Sequence, residues 1–279
     1  MVPVLPFEQR KLIPIYRRKW RKISYCSETA ELAKIEQLIK KAYKMVQRSE
    51  PKIILTTNPG RALMTLDKTG FSPSNILDKV DDAVENVIFQ ELEKIVLSQA
   101  LGHLQERDPN SIKTKIYLYL RQELVEHRWS EPLRAIHLAT RKTPNHFYNQ
   151  LKPDFRNDYS CIFSKFIETE YWLQFGAILD FYISVLGCSV DKKVWSLFKS
   201  LLKFCGWILP LEDICIVVSR PKIILNEDAQ LHAEKIKAVK YPDGYGFYFY
   251  KNTQIPSKYG RKSPSEWHYS FLAKMYNIM

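Results

Sequence analysis

Three residues near the C-terminus have the side chains of a general-base site. His232 and Glu234 are two positions apart in a β-like run, so both side chains would lie on one face of a strand. Asp243 lies in a turn from which it could approach them across a hairpin. A histidine held by a carboxylate can accept a proton near neutral pH. His232, Glu234 and Asp243 are therefore the candidate catalytic residues, although the same arrangement also satisfies a purely structural histidine.

A second kind of chemistry, the binding of anions, is indicated by positions 10–23. Their apolar residues recur with a helical period, which predicts one amphipathic helix that starts late or bends at Pro14. The apolar stripe consists of Leu12, Ile13, Tyr16, Trp20 and Ile23. The opposite face carries the candidate binding residues Arg17, Arg18, Arg21 and Lys22. Such a face attracts nucleic acid or another anionic partner, but it is also what a helix docked on a core leaves in water.

An aromatic run at 245–250 predicts a strand that could stack single-stranded nucleic acid. Alternation places Phe247 and Phe249 in the core, so Tyr248 and Tyr250 would face outwards beside Lys251. Tyrosines at such positions are also common as cross-strand pairs. Tyr248, Tyr250 and Lys251 are the candidate binding residues of this strand.

The sequence carries no motif for a metal, a nucleotide or a hydrolytic nucleophile. His103, His127, His137 and His146 lack a ligand spacing, and five cysteines without a Cys-x-x-Cys pair predict neither a zinc site nor a disulfide framework. We therefore expect no cofactor and no bound metal.

The elements that must position these residues are mostly helices. Helical periodicity covers about 29–46, 76–107, 112–129, 131–140, 161–186 and 193–205, with a short extended run at 52–55. After Gly206 the pattern becomes β-branched and aromatic, and Tyr241-Pro242-Asp243-Gly244-Tyr245 predicts a hairpin turn. The prediction is an α+β fold: a helical body at 1–209, a small antiparallel β-sheet at 210–256 and a basic C-terminal tail at 257–279.

Composition restricts the class of protein. The chain has 279 residues, 46% of them hydrophobic, which is enough for a folded core and excludes a disordered chain. The net charge of +12 is uneven, because residues 1–60 hold 13 basic and 5 acidic side chains whereas 61–110 hold 5 and 9. The start MVPVLPFEQ lacks the pattern of a signal peptide, and no apolar stretch predicts a membrane span. Cysteine usage favours the cytoplasm.

Two segments resemble a bacterial domain family of unknown function, DUF6745, seen in actinomycetes and cyanobacteria. The N-terminal segment comprises LPFEQRKLIPIYRRKW, the helix at 29–43 and PKIILTTNPG, and the C-terminal segment runs from KFCGW to IPSKYG. The positions that match the C-terminal pattern of the family are Arg220, Pro221, Leu231, His232, Glu234, Ala238, Tyr241, Pro242, Asp243, Gly244, Tyr248 and Pro256. The resemblance implies a shared fold, and the family supplies no biochemical role.

Three functions follow from these patterns. The sequence favours a non-enzymatic cytoplasmic protein that binds another molecule, either a protein or a nucleic acid, with an anionic partner most compatible with the charge. The alternatives are an enzyme built on His232, Glu234 and Asp243, and a nucleic-acid-binding protein that uses the basic helix and the aromatic strand.

Overall fold

The fold was analysed in a computed structural model that describes residues 5–25, 31–69, 72–101, 111–126, 130–142 and 147–275. Helices dominate this part of the chain, and the fold is α+β as the sequence predicts. The α-helices are α1 Phe7–Arg10, α2 Ile13–Ser24, α3 Leu32–Met45, α4 Pro59–Lys68, α5 Pro73–Asp78, α6 Ala83–Glu85, α7 Glu91–Leu101, α8 Ile112–Arg121, α9 Ser130–Arg141, α10 Pro153–Phe163, α11 Thr169–Ser184, α12 Lys192–Phe204, α13 Ser257–Gly260 and α14 Tyr269–Met275. A π-helical segment, Asn86–Gln90, joins α6 to α7, and another, Gln122–Glu126, extends α8.

Eight strands form two four-stranded sheets. The strands are β1 Lys52–Thr56, β2 Ile167–Glu168, β3 Trp207–Pro210, β4 Ile214–Val218, β5 Lys222–Ile223, β6 Val239–Lys240, β7 Gly246–Tyr250 and β8 Thr253–Ile255. The first sheet has the order β1-β4-β3-β2, with β1 and β4 parallel and the other pairs antiparallel. The second sheet has the order β5-β6-β7-β8 and is antiparallel throughout, which confirms the small C-terminal antiparallel sheet.

The pairing of 214–218 differs from the sequence-based expectation. The sequence places this run in the C-terminal sheet, whereas the structure pairs it in parallel with β1, with Lys52 opposite Ile214. Residues 214–218 are close in sequence to the C-terminal strands, which favours pairing with them. An apolar strand is stabilised most, however, where both of its faces are covered. The second sheet therefore begins only at Lys222.

The first sheet separates two hydrophobic clusters. Cys215 and Val217 of β4 point into a cluster shared with α2, α3, α7, α11 and α12, whereas Ile216 and Val218 point into one shared with α4, α9, α10 and the second sheet. This alternation follows from the period of two along a strand. Burial on both faces explains why β4 is almost continuously apolar.

The predicted basic helix is confirmed as α2, and its apolar stripe faces the core. Trp20 is fully buried against Gly176 of α11, where an added Cβ would lie 2.1 Å from the indole ring. The indole N–H donates to the buried carboxylate of Asp180 at 2.9 Å, and the ammonium of Lys19 binds the same oxygen at 2.6 Å. Gly176, which leaves room for the indole, and Asp180, which binds Trp20 and Lys19, thus fix the position of α2 on α11.

Residues 257–275, the described part of the predicted basic C-terminal tail, pack on the second sheet through aromatic residues, whereas Lys258, Arg261 and Lys262 are exposed. Trp267 is buried, with its ring 5.0 Å from that of Tyr250, and the rings of Tyr259 and Phe271 stack 3.7 Å apart. The aromatic residues of this segment bury apolar area against the sheet. The number of its lysines and arginines does not predict this packing.

The predicted hairpin turn is present at 241–245. Gly244 N donates to Tyr241 O at 2.9 Å, and Gly244 has φ +82°, a conformation that glycine adopts without steric cost. The strand after the turn needs a second glycine for a different reason. A Cβ at Gly246 would lie 2.0 Å from the carbonyl oxygen of Val239 on the neighbouring strand.

The two glycines therefore predict different responses to alanine. Gly244→Ala should lower the free energy of unfolding by about 1 kcal/mol, because only the backbone conformation is strained and nothing lies near the new methyl group. Gly246→Ala should destabilise more, because β6 and β7 must separate to admit a Cβ. Urea unfolding of both variants measures this, and equal losses would contradict the observed strand pairing.

Candidate functional site

The most developed polar constellation lies in a cleft between three helices. The cleft has a volume of about 560 Å³ and is bounded by α9, by α11 and by α8 with its π-helical extension. Its lining residues are Tyr117, Arg121, Val125, Glu131, Leu133, Arg134, His137, Leu138, Glu170, Tyr171, Gln174, Phe175 and Ile178. On α9, Glu131, Arg134 and Leu138 recur every three or four positions, so one face of this helix supplies a wall of the cleft.

A histidine–carboxylate pair stands at the cleft. His137 Nδ1 lies 2.5 Å from Oε2 of Glu168, which is buried at the end of β2. The other oxygen of Glu168, Oε1, accepts from Arg141 Nη2 at 2.7 Å and from Arg141 Nε at 3.1 Å. Because the carboxylate holds Nδ1, Nε2 is the ring nitrogen left for another partner. Both oxygens of Glu168 are bonded, so the ring orientation of His137 is fixed.

A second carboxyl, Glu170, forms part of the cleft wall at its buried end. Only 5% of Glu170 is exposed, and its Oε2 accepts from the indole N–H of Trp207 at 2.9 Å. Burial raises the pKa of Glu170 above the usual value for a glutamate, and the guanidinium of Arg220 opposes this effect only partly. Burial thus favours the neutral acid, which can donate a hydrogen bond where a carboxylate can only accept.

The sequence drew attention to other histidines and missed most of this cleft. The spacing of His137 bears only on metal binding, and no sequence pattern marks Arg134, Arg141, Glu168 or Glu170. One signal was available: the polar step Glu168-Thr169-Glu170 separates hydrophobic residues at 166–167 and 171–173. Acids inside a buried run must find partners or be protonated.

The three candidate catalytic residues of the second sheet are not brought together. Asp243 accepts from Asn58 Nδ2 at 2.6 Å, from Thr57 Oγ1 at 2.9 Å and from the backbone N–H of Tyr245 at 3.0 Å. It thereby ties the hairpin to the N-terminus of α4 and has no hydrogen bond to His232 or Glu234.

His232 and Glu234 lie in a loop rather than on one strand, because the pairing of β6 starts only at Val239. His232 Nε2 is 3.9 Å from Glu234 Oε1, and the imidazole ring packs 4.8 Å from the ring of Tyr250. Nδ1 of His232 is buried and has no hydrogen-bond partner among the described residues. The imidazole is one-fifth exposed and does not line the cleft, so this histidine packs mainly within its own loop and sheet.

The candidate anion-binding residues of α2 have divided roles. Arg17 donates to Glu123, with Nη2 2.9 Å from Oε2 and Nε 2.6 Å from the backbone oxygen. Arg21 is half-buried near Tyr25, and the pKa of Tyr25 is raised by burial and partly lowered by this arginine. Arg18 and Lys22 are exposed. Part of the basic face is therefore engaged within the fold.

The aromatic strand follows the predicted alternation, with Phe247 and Phe249 buried and Tyr248 and Tyr250 half-buried. Its outer face, however, is covered by other residues of the chain. Tyr248 packs against Gly260, and the ring of Tyr250 contacts those of His232 and Trp267. These contacts occupy the surface on which a base would have to stack.

Lys251 and Asn252 form the two-residue turn between β7 and β8, with φ of +48° and +65°. Two consecutive residues with positive φ are the signature of a tight hairpin turn. The ammonium of Lys251 lies 5.7 Å from the centre of the Tyr250 ring. The position of Lys251 is therefore explained by strand reversal.

Metal-binding clusters and membrane-spanning helices are the two remaining kinds of candidate feature. In the ranges that the structure describes, no group of three or more His, Cys, Asp or Glu side chains could hold a metal ion. Within the same ranges no helix is both long and apolar enough to cross a bilayer. His103, His127, His146 and Cys26 lie outside the described residues.

Comparison of the chain with protein-family models, with curated proteins and with solved structures finds no match. The resemblance to DUF6745 therefore stays a prediction. In the structure, its segments meet where Asn58 of the TTNPG stretch contacts Asp243 of the YPDG turn.

The raised pKa of Glu170 predicts a pH dependence of stability. A carboxyl whose pKa is raised by folding stabilises the protein fully below the pKa of the unfolded chain, and this contribution is lost as the pH rises through the folded pKa. The free energy of unfolding of the native protein should therefore fall, relative to that of Glu170→Gln, as the pH rises above about 4.5. The amide oxygen of glutamine can still accept from Trp207.

Urea unfolding of both proteins at a series of pH values measures this difference. Glu85, whose pKa is also raised by burial, titrates in both proteins and cancels in the comparison. A difference that stays constant with pH would show that folding does not raise the pKa of Glu170.

Proposed function

We propose that the protein is a binding protein that takes a small, partly apolar organic anion in the α8–α9–α11 cleft. The observation that carries the proposal is the convergence of Arg134, His137 and Gln174 on a cleft whose floor is apolar. Ligand sites commonly combine such a floor with a few polar groups that fix orientation. The proposal agrees with the anionic partner favoured by the sequence.

The apolar part of the ligand would lie on residues from all three walls. Leu133, Ile178 and Val125 are buried in the protein, and Phe175 is half-buried at the same cleft. A volume of about 560 Å³ admits a ring or a short chain together with its polar head. Burial of such a group releases water from both surfaces.

The anionic part would bind Arg134. Its side chain is exposed at the cleft and makes no ion pair with any of the described residues. A guanidinium binds carboxylate or phosphate through two parallel hydrogen bonds, which fixes orientation as well as charge. The raised pKa of Glu170 lessens its repulsion of an anion, and His137 Nε2 supplies one further polar contact.

A cytoplasmic location belongs to the same proposal. It is supported by the free thiols of Cys161, Cys188, Cys205 and Cys215, which suit a reducing compartment. Cys205 and Cys215 are fully buried, and burial raises the pKa of Cys205 to about 12, so this thiol is unreactive at neutral pH.

A second candidate function is an acid–base enzyme in the same cleft, favoured by the close pair of His137 and Glu168. A histidine oriented by a buried carboxylate is suited to proton transfer. Incubation of each bound compound with the protein, followed by mass spectrometry, separates the two functions. Conversion that His137→Gln abolishes while binding persists would favour the enzyme, and unchanged compounds would favour the binding protein.

Arg134→Gln tests the binding function. Benzoate, hexanoate and phenyl phosphate serve as anionic probes, with benzamide and hexanamide as neutral counterparts. At least one anion should raise the melting temperature of the native protein, and its amide should not. In Arg134→Gln the affinity should fall by about 2 kcal/mol, roughly thirtyfold, because a charged hydrogen bond is lost.

Arg18→Gln is the matched control, because it removes the same exposed charge from α2, away from the cleft. Calorimetric titration of the three proteins gives the affinities. Equal weakening in both variants would assign the effect to net charge and contradict a site at Arg134, as would equal binding of anions and amides.

A further inference from the structure

A second groove, independent of the cleft, lies between α3 and α12. Its volume is about 700 Å³. The floor is aliphatic, with Leu38 and Leu197 buried and Met45 and Val194 half-buried. The lining residues are Leu38, Lys41, Lys44, Met45, Asp191, Lys192, Lys193, Val194, Ser196, Leu197 and Ser200.

Four exposed lysines border this floor from both sides. Lys41 and Lys44 lie near the end of α3, and Lys192 and Lys193 are the first two residues of α12. None of the four forms an ion pair with a described residue. The acid in the groove, Asp191, already accepts from the backbone N–H groups of Lys193 and Val194 at 2.6 and 3.1 Å.

The placement of Lys192 and Lys193 is electrostatically unfavourable for the isolated fold. The first turn of a helix carries the positive end of the helix dipole, where acidic side chains are stabilising and basic ones are not. Hydrogen bonds from the backbone lower the pKa of Asp191, so it stays ionised and offsets one charge. Four lysines and one aspartate leave a net charge of +3 around an apolar floor.

The two helices that border the groove pack side by side beyond it. Lys34, near the start of α3, lies with its ammonium 3.8 Å from the centre of the Phe204 ring at the end of α12, so the two helices run antiparallel. From Lys34 to Lys44, α3 rises by about 15 Å, roughly three helical turns. Lysines on both helices, with an aliphatic floor between them, match an elongated partner rather than a single ion.

We infer that the α3–α12 groove binds an acidic amphipathic helix of a partner protein. The aliphatic floor would receive the apolar stripe of that helix, as in other helix-in-groove interfaces, and the lysines would face acidic residues on its flanks. Charge complementarity would speed association and fix the register of the helix.

The floor argues against nucleic acid as the occupant. Single strands bind through bases stacked on aromatic rings, whereas the four residues of this floor are aliphatic. Phosphate contacts need basic residues but gain nothing from leucine, methionine and valine beneath them.

The test uses the full chain and a fluorescently labelled peptide of about 15 residues, roughly four helical turns. Leucines recur in the peptide at helical spacing, and glutamates occupy its flanks. A scrambled peptide of the same composition and an oligothymidine of similar length are the competing probes. Fluorescence anisotropy at low ionic strength should show that the amphipathic peptide binds more tightly than either.

Two pairs of substitutions locate the site. Lys41→Glu with Lys44→Glu, and separately Lys192→Gln with Lys193→Gln, should each weaken binding about tenfold or more. Lys258→Glu with Lys262→Glu is the control, because it makes the same charge change as the Lys41/Lys44 pair but on the C-terminal segment. Val194→Gln should also weaken binding, since it places a polar group in the floor.

Several results would overturn the inference. Equal weakening by the control pair, equal binding of the scrambled peptide, or preference for oligothymidine would each do so. Sedimentation velocity of the chain alone supplies the remaining outcome: self-association that the Lys41/Lys44 pair abolishes would make a second copy the occupant. Unchanged melting temperatures of the variants establish that the lysines act in binding rather than in folding.

Discussion

The cleft is organised by the pairing of two residues at the edge of the first sheet. Glu168 of β2 lies opposite Trp207 of β3, and the indole of that same tryptophan donates to Glu170 two residues later. Strand pairing and side-chain hydrogen bonding thus both hold residues 168–170 in place. Glu168 is directed to His137, Glu170 takes its place in the cleft wall, and α11 begins between them at Thr169. Without this pairing neither carboxyl would have a defined position.

Paired buried charges recur throughout the fold and limit what its positive charge can do. Arg220 is 8% exposed and donates to the carbonyl oxygens of Ser24 and Leu202, near the C-terminal ends of α2 and α12. Asp180 binds Lys19 and Trp20, and Arg17 binds Glu123. Ion pairs leave the net charge of +12 unchanged, because each uses one positive and one negative charge, whereas the buried Arg220 withdraws one positive charge from the surface. The exposed lysines of the α3–α12 groove belong to the positive charge that no described acidic residue pairs.

Local periodicity made much of the fold predictable. The stripe of α2, the turn at Tyr241–Tyr245 and the alternation along β7 depend on neighbours in sequence, and the structure contains all three. The two-residue strand β2 could not be predicted from a pattern, because only its pairing with β3 defines it. The parallel pairing of β1 with β4 depends on contacts between distant segments in the same way.

The candidate site was less predictable than the fold, because tertiary contacts assemble it. His137 contacts Glu168 across the gap between α9 and β2. No sequence pattern around either residue predicts this contact. Conversely, His232, Glu234 and Asp243 are close in sequence, but Asp243 binds Asn58 and Thr57 instead. Proximity along the chain was a poor guide to proximity in space.

The central claim is that His137, held by Glu168, faces a ligand in the α8–α9–α11 cleft. NMR of protein labelled with ¹⁵N-histidine tests it most directly, with the tightest-binding anion as titrant and His137→Gln to assign the signals. The account predicts that Nδ1 of His137 carries a proton in the free protein. On titration the Nε2 signal of His137 should shift, while the signals of His232 and His268 stay in place. An unmoved His137 signal at saturating ligand, or a shift confined to His232, would contradict it.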